Sequence, residues 1–259
     1  MSVFAKDYAR YYDLLYQGKQ YGAEADYVSA LIRRFSPEAV SVLELGCGTG
    51  RHAEHLGASG FDVHGVDQSP EMVERAQQRG MERSGGNGSI GFSVGDVTSY
   101  DSGRVYDSVI SLFHVVSYQA SNERLRGMFS SASRHLCAGG VFVFDAWYGP
   151  AVLTQLPSVR VRRLEDERVS ITRIAEPKMD FSRNTVEVRY SIHCVDKESG
   201  SFSEFQESHV MRYLFEPEVE MLLAESGFDL VLTQEWMGGG PASDQTWSVC
   251  FAAVKRAIR

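Results

Sequence analysis

A short apolar strand that runs directly into alternating glycines restricts the fold of this chain more than any other segment. Residues 40–45 predict a buried strand, and Gly46, Gly48 and Gly50 follow it before a predicted helix over residues 51–58. Glycine lets the backbone turn sharply and lets a ligand approach without a Cβ in the way. A strand, a glycine turn and a helix in this order are typical of the ligand-binding crevice of open α/β sheets.

The alternation of strands and helices continues over most of the chain. Further strands are predicted at residues 62–66, 90–94, 106–112, 141–145, 229–235 and 246–254. The helices between them are predicted at residues 70–80, 122–136 and 217–226. Strands that alternate with helices favour right-handed crossovers and a sheet covered on both faces. We therefore predict a doubly wound α/β fold with a mostly parallel, seven-stranded, Rossmann-like sheet.

The pattern changes between residues 151 and 215. Apolar residues occupy every second position from Val186 to Cys194, which predicts a half-buried antiparallel strand, and weaker alternation surrounds it. The sequence thus divides into a core, residues 1–150 and 216–259, and an inserted antiparallel sheet, residues 151–215. The apolar face of that sheet needs cover, which either the core helices or a second subunit could supply, so a homodimer is one expectation.

Composition narrows the range of partners. The formal net charge is −8, and the one cluster of arginines, Arg160 to Arg163, is followed at once by acidic residues. We therefore expect no nucleic-acid partner. No stretch reaches the roughly 18 apolar residues of a membrane span, and residues 1–6 lack the features of a secretory signal. The four cysteines form no CxxC pair, so we expect reduced thiols, no metal site and a cytoplasmic location.

Acidic residues lie at or near the carboxyl ends of the first three predicted strands, where a ligand would bind. Glu44 precedes the glycines, Asp67 closes the second strand 21 residues after Gly46, and Asp96 with Val97 follows the third strand. A carboxylate at the end of the second strand can accept hydrogen bonds from both hydroxyls of a ribose. Arg51 stands where a GxGxxG dinucleotide fingerprint needs its last glycine, so the spacing argues against a nicotinamide cofactor.

In this segment the chain resembles the class I S-adenosylmethionine-dependent methyltransferases, whose first motif reads like Val42-Leu43-Glu44-Leu45-Gly46-Cys47-Gly48-Thr49-Gly50. The resemblance implies S-adenosyl-L-methionine as cofactor, with the glycine turn under its methionine part. Asp67 would hold the ribose, Asp96 and Val97 would contact the adenine, and two tyrosines near the N-terminus could form a lid. The cofactor contacts assigned in this way are Tyr12, Tyr21, Glu44, Gly46, Cys47, Gly48, Gly50, Asp67, Gln68, Asp96, Val97 and Leu112.

A narrower resemblance, to the TDP-amino-sugar N-methyltransferases, extends over more of the chain. It rests on Tyr12-Asp13-Leu14, Gln17-Gly18-Lys19, Asp145-Ala146-Trp147-Tyr148, Thr185-Val186-Glu187-Val188-Arg189-Tyr190 and Glu207-Ser208-His209. It implies N-methylation of an amino sugar, with the inserted sheet forming the sugar-nucleotide site and a dimer contact. The tail over residues 238–244 supplies no basic residue for a phosphate. An O-methyltransferase of a sugar or other small metabolite and a non-catalytic cofactor-binding protein stay open as alternatives.

Polar and aromatic residues that follow the fourth and fifth strands are the candidates for chemistry. His114 and Tyr118 are the predicted catalytic residues, because ligands bind outside the carboxyl ends of parallel strands. An amine needs only to have lost its proton before it attacks a methyl group, whereas a hydroxyl needs a base that removes its proton during attack. The predicted substrate-binding residues are Trp147, Tyr148, Arg173 and His209.

Overall fold

The computed structural model describes residues 15–16, 18–82 and 88–257 of the chain. Its helices are α1 (Tyr21–Phe35), α2 (Arg51–Ala58), α3 (Pro70–Glu82), α4 (Asn122–Arg134), α5 (Gly149–Thr154) and α6 (Glu216–Glu225). Its strands are β1 (Ser41–Leu45), β2 (Asp62–Asp67), β3 (Ile90–Val94), β4 (Tyr106–Ser111), β5 (Leu136–Trp147), β6 (Arg160–Glu165), β7 (Val169–Asp180), β8 (Thr185–Asp196), β9 (Phe202–Arg212), β10 (Phe228–Glu235) and β11 (Ser248–Lys255).

Seven of these strands form the predicted doubly wound sheet, in the order β10-β11-β5-β4-β1-β2-β3. Strands β1 to β5 run parallel, and β11 lies antiparallel between β5 and β10. The order reverses at β1, which pairs with β2 on one side and with β4 on the other. A crevice forms outside the carboxyl ends of the strands at such a reversal, and it is the usual ligand site of open α/β sheets.

Apolar side chains cover both faces of this sheet. On one face, α1 and α2 contribute Val28, Ile32 and Leu56 to a cluster that includes Val42 of β1. On the opposite face, the aromatic residues of β5 pack against α4, where Phe129 lies edge-on to Phe142 with ring centroids 5.8 Å apart. Burial on both sides explains why residues 141–144 of β5 form a continuous apolar run.

The helix predicted over residues 122–136 ends earlier, at Arg134. Ser121 caps its start by accepting a hydrogen bond from the amide of Arg124. Leu136, predicted to be helical, instead begins β5 and pairs with Tyr106 of β4. Leu136 is fully buried, and an apolar residue at the end of a periodic run fits a helix or a strand equally well.

The chain between α5 and α6 forms a second, four-stranded antiparallel sheet in the order β6-β7-β8-β9. The sequence analysis missed β6, because its residues are almost all exposed, most of them are charged, and they show no alternation. It also missed the short helix α5. Entry and exit of the segment lie side by side, since the amide of Leu214 donates to the carbonyl of Trp147 and the amide of Gly149 to the carbonyl of Leu214, each at 2.8 Å.

The apolar face of β8 is covered by the chain itself. Ile192 and Cys194 pack in one cluster with Met72 of α3, and Val186 packs with Val152 of α5 in another. Of the two sources of cover expected from the sequence, the structure supplies the intramolecular one. No helix in the described part of the chain has both the length and the apolar character of a membrane span.

Candidate active site

A cavity of about 620 Å³ opens at the carboxyl ends of the parallel strands and is closed by the second sheet. The core contributes the glycine turn, Asp67 and the segment after β4 to its wall. The inner face of the second sheet contributes Arg173, Tyr190 and His209. The volume lies within the range of small-molecule sites in proteins, about 300–1,000 Å³.

The glycine turn requires glycine at Gly46 for two separate reasons. Its φ angle is +83°, a left-handed conformation that side chains disfavour. A Cβ atom there would also lie 2.5 Å from Cγ1 of Val115. The amides of Gly46 and Cys47 both donate to the carbonyl of Val66, at 2.7 and 2.9 Å. These constraints hold the turn against the end of β2, next to the cavity.

Asp67 ends β2 with its carboxylate held by the glycine turn. One oxygen accepts a hydrogen bond from the amide of Gly48 and the other from the amide of Ser69, both at 2.9 Å. Burial raises the pKa of Asp67, while these amides oppose the rise. Two amides leave acceptor capacity on a carboxylate, which has about four lone-pair positions. Asp67 lines the cavity, so its placement fits a ribose with two hydroxyls.

Glu44 lies behind the cavity wall in a buried group of charges. His52 of α2 stands between two glutamates, with Nε2 2.7 Å from Glu24 and Nδ1 3.5 Å from Glu44. Burial lowers the pKa of His52, but the two carboxylates outweigh it and raise the pKa above its ordinary value. His52 lines the cavity and Glu44 does not. The sequence analysis missed His52, because neither of the two histidines in this short helix belongs to a recognisable motif.

One carboxylate oxygen of Glu44 is suited to interact with the cationic end of a bound ligand. Its Oε2 atom is buried and has no hydrogen-bond partner among the described residues. Burial raises the pKa of Glu44, against the opposing hydrogen bond and charge of His52. A buried carboxylate oxygen without a partner is costly, and a cationic amino group near the glycine turn would satisfy it, directly or through water. The residues present therefore fit the amino end of S-adenosylmethionine.

Asp96 and Val97 follow β3 as predicted, but only Val97 reaches the cavity wall. The carboxylate of Asp96 accepts from the amide and hydroxyl of Thr98, and both terminal nitrogens of Arg124 reach it at 3.1 and 3.2 Å. Burial raises the pKa of Asp96, and the hydrogen bonds of Thr98 and Arg124 outweigh it and lower the pKa. Arg124 lines the cavity beside Val97, a role that its place in the first turn of α4 does not signal.

Tyr118, one of the two predicted catalytic residues, contacts the second sheet. Its hydroxyl lies 2.7 Å from Nδ1 of His209, and Nε2 of His209 lies 3.1 Å from Glu207. Tyr118 and His209 both line the cavity. The sequence analysis named Tyr118 and His209 separately, but it did not predict their contact and gave Glu207 no role in the site.

His114, the other predicted catalytic residue, is paired with a buried carboxylate. Its Nδ1 atom lies 2.7 Å from Oδ2 of Asp145, and its amide donates to Oδ1 of the same residue at 3.0 Å. Burial raises the pKa of Asp145, but His114 outweighs it and lowers the pKa. Phe113 and His114 have φ angles of +64° and +63°. Non-glycine residues in this region cost about 1–3 kcal/mol each and cluster at functional sites.

The remaining predicted site residues divide between the cavity and the interior. Those on the cavity wall are Tyr21, Cys47, Gln68, Leu112, Trp147 and Arg173. Gly50 instead ends the turn in a left-handed conformation before α2. Tyr148 forms a bridge with Leu214 and packs against the core rather than on the cavity wall. Tyr12 lies outside the described residues. Within the described part of the chain no cluster of three or more potential ligands suits a metal.

Comparison with known proteins agrees with this geometry. A family model described as a methyltransferase domain matches residues 42–140. The dTDP-3-amino-3,4,6-trideoxy-alpha-D-glucopyranose N,N-dimethyltransferase of Streptomyces venezuelae is 30% identical over 93% of this chain and 96% of its own length. A dTDP-4-amino-2,3,4,6-tetradeoxy-D-glucose N,N-dimethyltransferase of Saccharopolyspora spinosa is 28% identical over 93% and 91%.

Solved structures show the same fold over nearly the whole chain. DesVI of Streptomyces venezuelae superposes with a TM-score of 0.79 at 25% identity, covering 97% of this chain and 100% of that chain. An S-adenosylmethionine-dependent methyltransferase of Clostridium acetobutylicum gives a TM-score of 0.82 at 21% identity, covering 97% and 98%. With the glycine turn, Asp67 and the cavity in the places described above, this chain belongs to the S-adenosylmethionine-dependent methyltransferases, in the family of the sugar N,N-dimethyltransferase of Streptomyces venezuelae.

Proposed function

We propose that this enzyme methylates the amino nitrogen of a sugar that is linked to a nucleotide. The observation that carries the proposal is 30% identity to a dTDP-amino-sugar N,N-dimethyltransferase over 93% of this chain, the second sheet included. That sheet supplies the side of the cavity opposite the glycine turn. Likeness over the second sheet supports a shared class of acceptor, since a likeness of the core alone would support only a shared cofactor.

Each side of the cavity has a distinct role in this proposal. The glycine turn binds the methionine part of the cofactor, Asp67 binds its ribose, and Val97 contacts the adenine. Tyr21, Gln68 and Leu112 complete the cofactor side. Support comes from the left-handed turn, the acceptor capacity of Asp67 and the buried Glu44 oxygen.

The acceptor lies between the core and the second sheet. Trp147 provides an apolar wall, and its ring is edge-on to His114 at 6.3 Å. Arg173 lies over the ring of Tyr190, with 4.9 Å from Cζ to the centroid, and Arg160 borders the same cavity. In the proposal these two arginines bind the diphosphate of the sugar nucleotide, because guanidinium groups suit phosphate oxygens. They supply the positive charge that the tail lacks.

The chemistry asked of the protein is mainly alignment. When bound, S-adenosylmethionine supplies an electrophilic methyl group on a positively charged sulfur, and the C–S electron pair stays on sulfur after transfer. The chain orients the acceptor nitrogen toward that methyl, excludes water and accepts the amine proton. Correct placement of two reactants can contribute about 7–11 kcal/mol to the barrier reduction.

A comparison of matched acceptors tests the proposal. The purified enzyme is incubated with S-adenosylmethionine and a dTDP-3-amino or dTDP-4-amino deoxysugar, and S-adenosylhomocysteine and the product mass are measured. We expect a product one or two methyl groups heavier. The same sugar nucleotide with a hydroxyl in place of the amine serves as the control. Turnover of the hydroxyl sugar alone would contradict N-methylation, and cofactor binding without turnover of either would favour the non-catalytic alternative.

O-methylation is the second candidate, and one observation favours it. Nδ1 of His114 lies 2.7 Å from the buried carboxylate of Asp145, a separation at which a carboxylate can orient a general base. A hydroxyl acceptor requires such a base. The hydroxyl-bearing control sugar described above therefore also serves as the test substrate for this candidate.

Three expectations from the sequence stay predictions beside this proposal. They are a homodimer, a cytoplasmic location and the absence of a nucleic-acid partner. The apolar face on which the homodimer was argued is covered within the chain, so a dimer would use another surface. Light scattering at working concentration measures the assembly directly.

A further inference from the structure

Three side chains from two parts of the chain form a connected series that begins at the cavity wall. Tyr118 lies in a short helical turn after β4, and His209 and Glu207 lie on β9 of the second sheet. The hydroxyl of Tyr118 is 2.7 Å from His209 Nδ1, and His209 Nε2 is 3.1 Å from the Glu207 carboxylate. Tyr118 and His209 both line the cavity and Glu207 does not, and His209 and Glu207 are only 2% and 9% exposed.

The chemistry of the three groups fixes the direction of these hydrogen bonds. An ionised carboxylate only accepts hydrogen bonds, so Nε2 of His209 carries the hydrogen that Glu207 receives. In the neutral imidazole Nδ1 is then an acceptor, and the Tyr118 hydroxyl donates to it. A tyrosine oxygen that donates its hydrogen also has lone pairs, through which it can accept a hydrogen bond from a group in the cavity.

Glu207 is an unusual residue for its position. Beside the cavity the inner face of the second sheet carries Arg173, Tyr190 and His209, and Glu207 lies opposite Tyr190 on β8. Carboxylates are rarely buried unless they are paired, because desolvation of a charge is costly. The ring of Tyr190 is edge-on to His209 at 5.0 Å, which shields the His209–Glu207 pair from solvent.

The outer face of the same two strands carries a comparable pair that is exposed. His193 of β8 and Glu204 of β9 are register partners, with Nε2 3.6 Å from the carboxylate and side chains 35% and 48% exposed. Both faces therefore combine a histidine with a glutamate, but only the inner pair reaches the cavity. The outer pair provides a matched control.

We propose that Tyr118, His209 and Glu207 form a relay that removes the proton of the acceptor amine. The proposal rests on the amino-sugar function proposed above. An alkylamine is protonated at neutral pH, and its nitrogen has no lone pair for attack until the proton leaves. The ammonium proton moves to the Tyr118 oxygen while the Tyr118 proton moves to His209 Nδ1. The amine becomes neutral, and His209 becomes an imidazolium stabilised by Glu207. The proton returns to solvent after the product leaves.

In this relay Glu207 is a positioning residue. It keeps the proton of neutral His209 on Nε2 and stabilises the imidazolium, and it does not touch the substrate. Among the residues that the structure describes, the charged and titratable groups around Tyr118 and His209 include Tyr16, Tyr190, Arg173 and Glu207. Among them Glu207 is the acidic group in direct contact with the imidazole.

The test measures kcat against pH for Glu207→Gln, Tyr118→Phe and the control Glu204→Gln, with a dTDP-amino sugar. General bases contribute about 10²–10⁴-fold, so we expect Glu207→Gln and Tyr118→Phe to lose at least about tenfold at pH 7. Both losses should shrink toward about pH 9.5, where an amine increasingly loses its proton without help. Glu204→Gln should follow the wild-type profile throughout.

A loss in Glu207→Gln and Tyr118→Phe that stays constant across the pH range would overturn the relay, because it would indicate a purely structural role. Wild-type kcat in both variants at pH 7 would overturn it as well. Wild-type enzyme that turns over no amino sugar would instead contradict the proposed function itself, so the two failures are distinct. Circular dichroism and calorimetric cofactor binding establish that each variant is folded. Should Glu207→Gln fail to fold, the Tyr118→Phe profile decides.

Discussion

The Oδ2 atom of Asp67 accepts a hydrogen bond of 2.9 Å from the amide of Gly48. This contact joins the end of β2 to the turn that follows β1. One carboxylate thus shapes the glycine turn and faces the cavity at the same time. Substitutions at Asp67 should therefore affect the cofactor site before they affect the rest of the fold.

Asp67→Ala should weaken cofactor binding by about ten- to a hundred-fold, since hydrogen bonds to a charged group contribute about 1.5–3 kcal/mol. Calorimetric titration with S-adenosylhomocysteine measures the change. Asp62→Ala, at the far, exposed end of β2, serves as the control and should bind normally. Unchanged affinity in Asp67→Ala would remove the ribose contact from the proposed site.

Gly46→Ala should lower the free energy of unfolding by about 2–4 kcal/mol, because a left-handed alanine and an overpacked contact each cost about 1–2 kcal/mol. Gly60→Ala isolates the first cost, since Gly60 has a φ of +96° and open space around its Cβ position. Urea unfolding measures both. Val115→Ala should recover part of the loss in Gly46→Ala by removing the collision. Equal destabilisation of Gly46→Ala and Gly60→Ala would contradict the steric argument.

The buried His52 should make stability depend on pH. The pKa of His52 in the folded protein is raised above its unfolded value of about 6.5. Its contribution is therefore complete below about pH 6.5 and is lost as pH rises through the folded pKa. We expect urea unfolding to show less stability at pH 9 than at pH 7, with a smaller difference in His52→Gln. The exposed His55→Gln is the control. An NMR titration that placed the pKa of His52 at or below about 6.5 would refute this.

Arg173→Gln should raise KM for a nucleotide-linked sugar by roughly ten- to a hundred-fold, with a smaller effect on kcat, because a charged hydrogen bond to phosphate contributes about 1.5–3 kcal/mol. Steady-state kinetics measure both constants. Arg189→Gln is the matched control, since Arg189 is on the same sheet but exposed and paired with Glu187. Equal effects of Arg173→Gln on the nucleotide-linked and the free sugar would argue against a phosphate contact.

His114→Gln separates the two acceptor chemistries. With an amine acceptor we expect turnover to fall less than about tenfold, because His114 then serves only to orient the substrate. With a hydroxyl acceptor the loss should reach the 10²–10⁴-fold typical of a general base. S-adenosylhomocysteine formation measures both cases. A large loss with an amine acceptor would move the proton-accepting role from Tyr118 to His114.

The sequence predicted the core of the fold, and the neighbouring positions of the glycine turn and Asp67, because the signals for them are local. The three glycines lie within five residues of one another, and their φ angles confirm the need for glycine. Strand and helix periods in the core are equally short-range. The relation of Asp67 to the turn depended only on the alternating order of strands and helices.

Long-range pairs could not be predicted in the same way. Tyr118 and His209 are 91 residues apart, and Glu24 and His52 are 28 apart. The separation of the two residues along the sequence does not indicate a contact in either pair. Each contact forms only when the second sheet or α1 packs on the core. Strand β6 was not predicted for a different reason. An exposed edge strand can carry charged residues on both faces, so its sequence shows no alternation of apolar and polar residues.

The second sheet is made from one uninterrupted stretch of chain, and that stretch leaves and re-enters the core at neighbouring points, Trp147 and Leu214. The side chains of this sheet that line the cavity can therefore be exchanged together, by replacing one segment whose two ends are already adjacent. The residues proposed to bind the cofactor lie outside this segment. In proteins with this arrangement, substitutions within one segment can change the acceptor while the binding of the methyl donor stays the same.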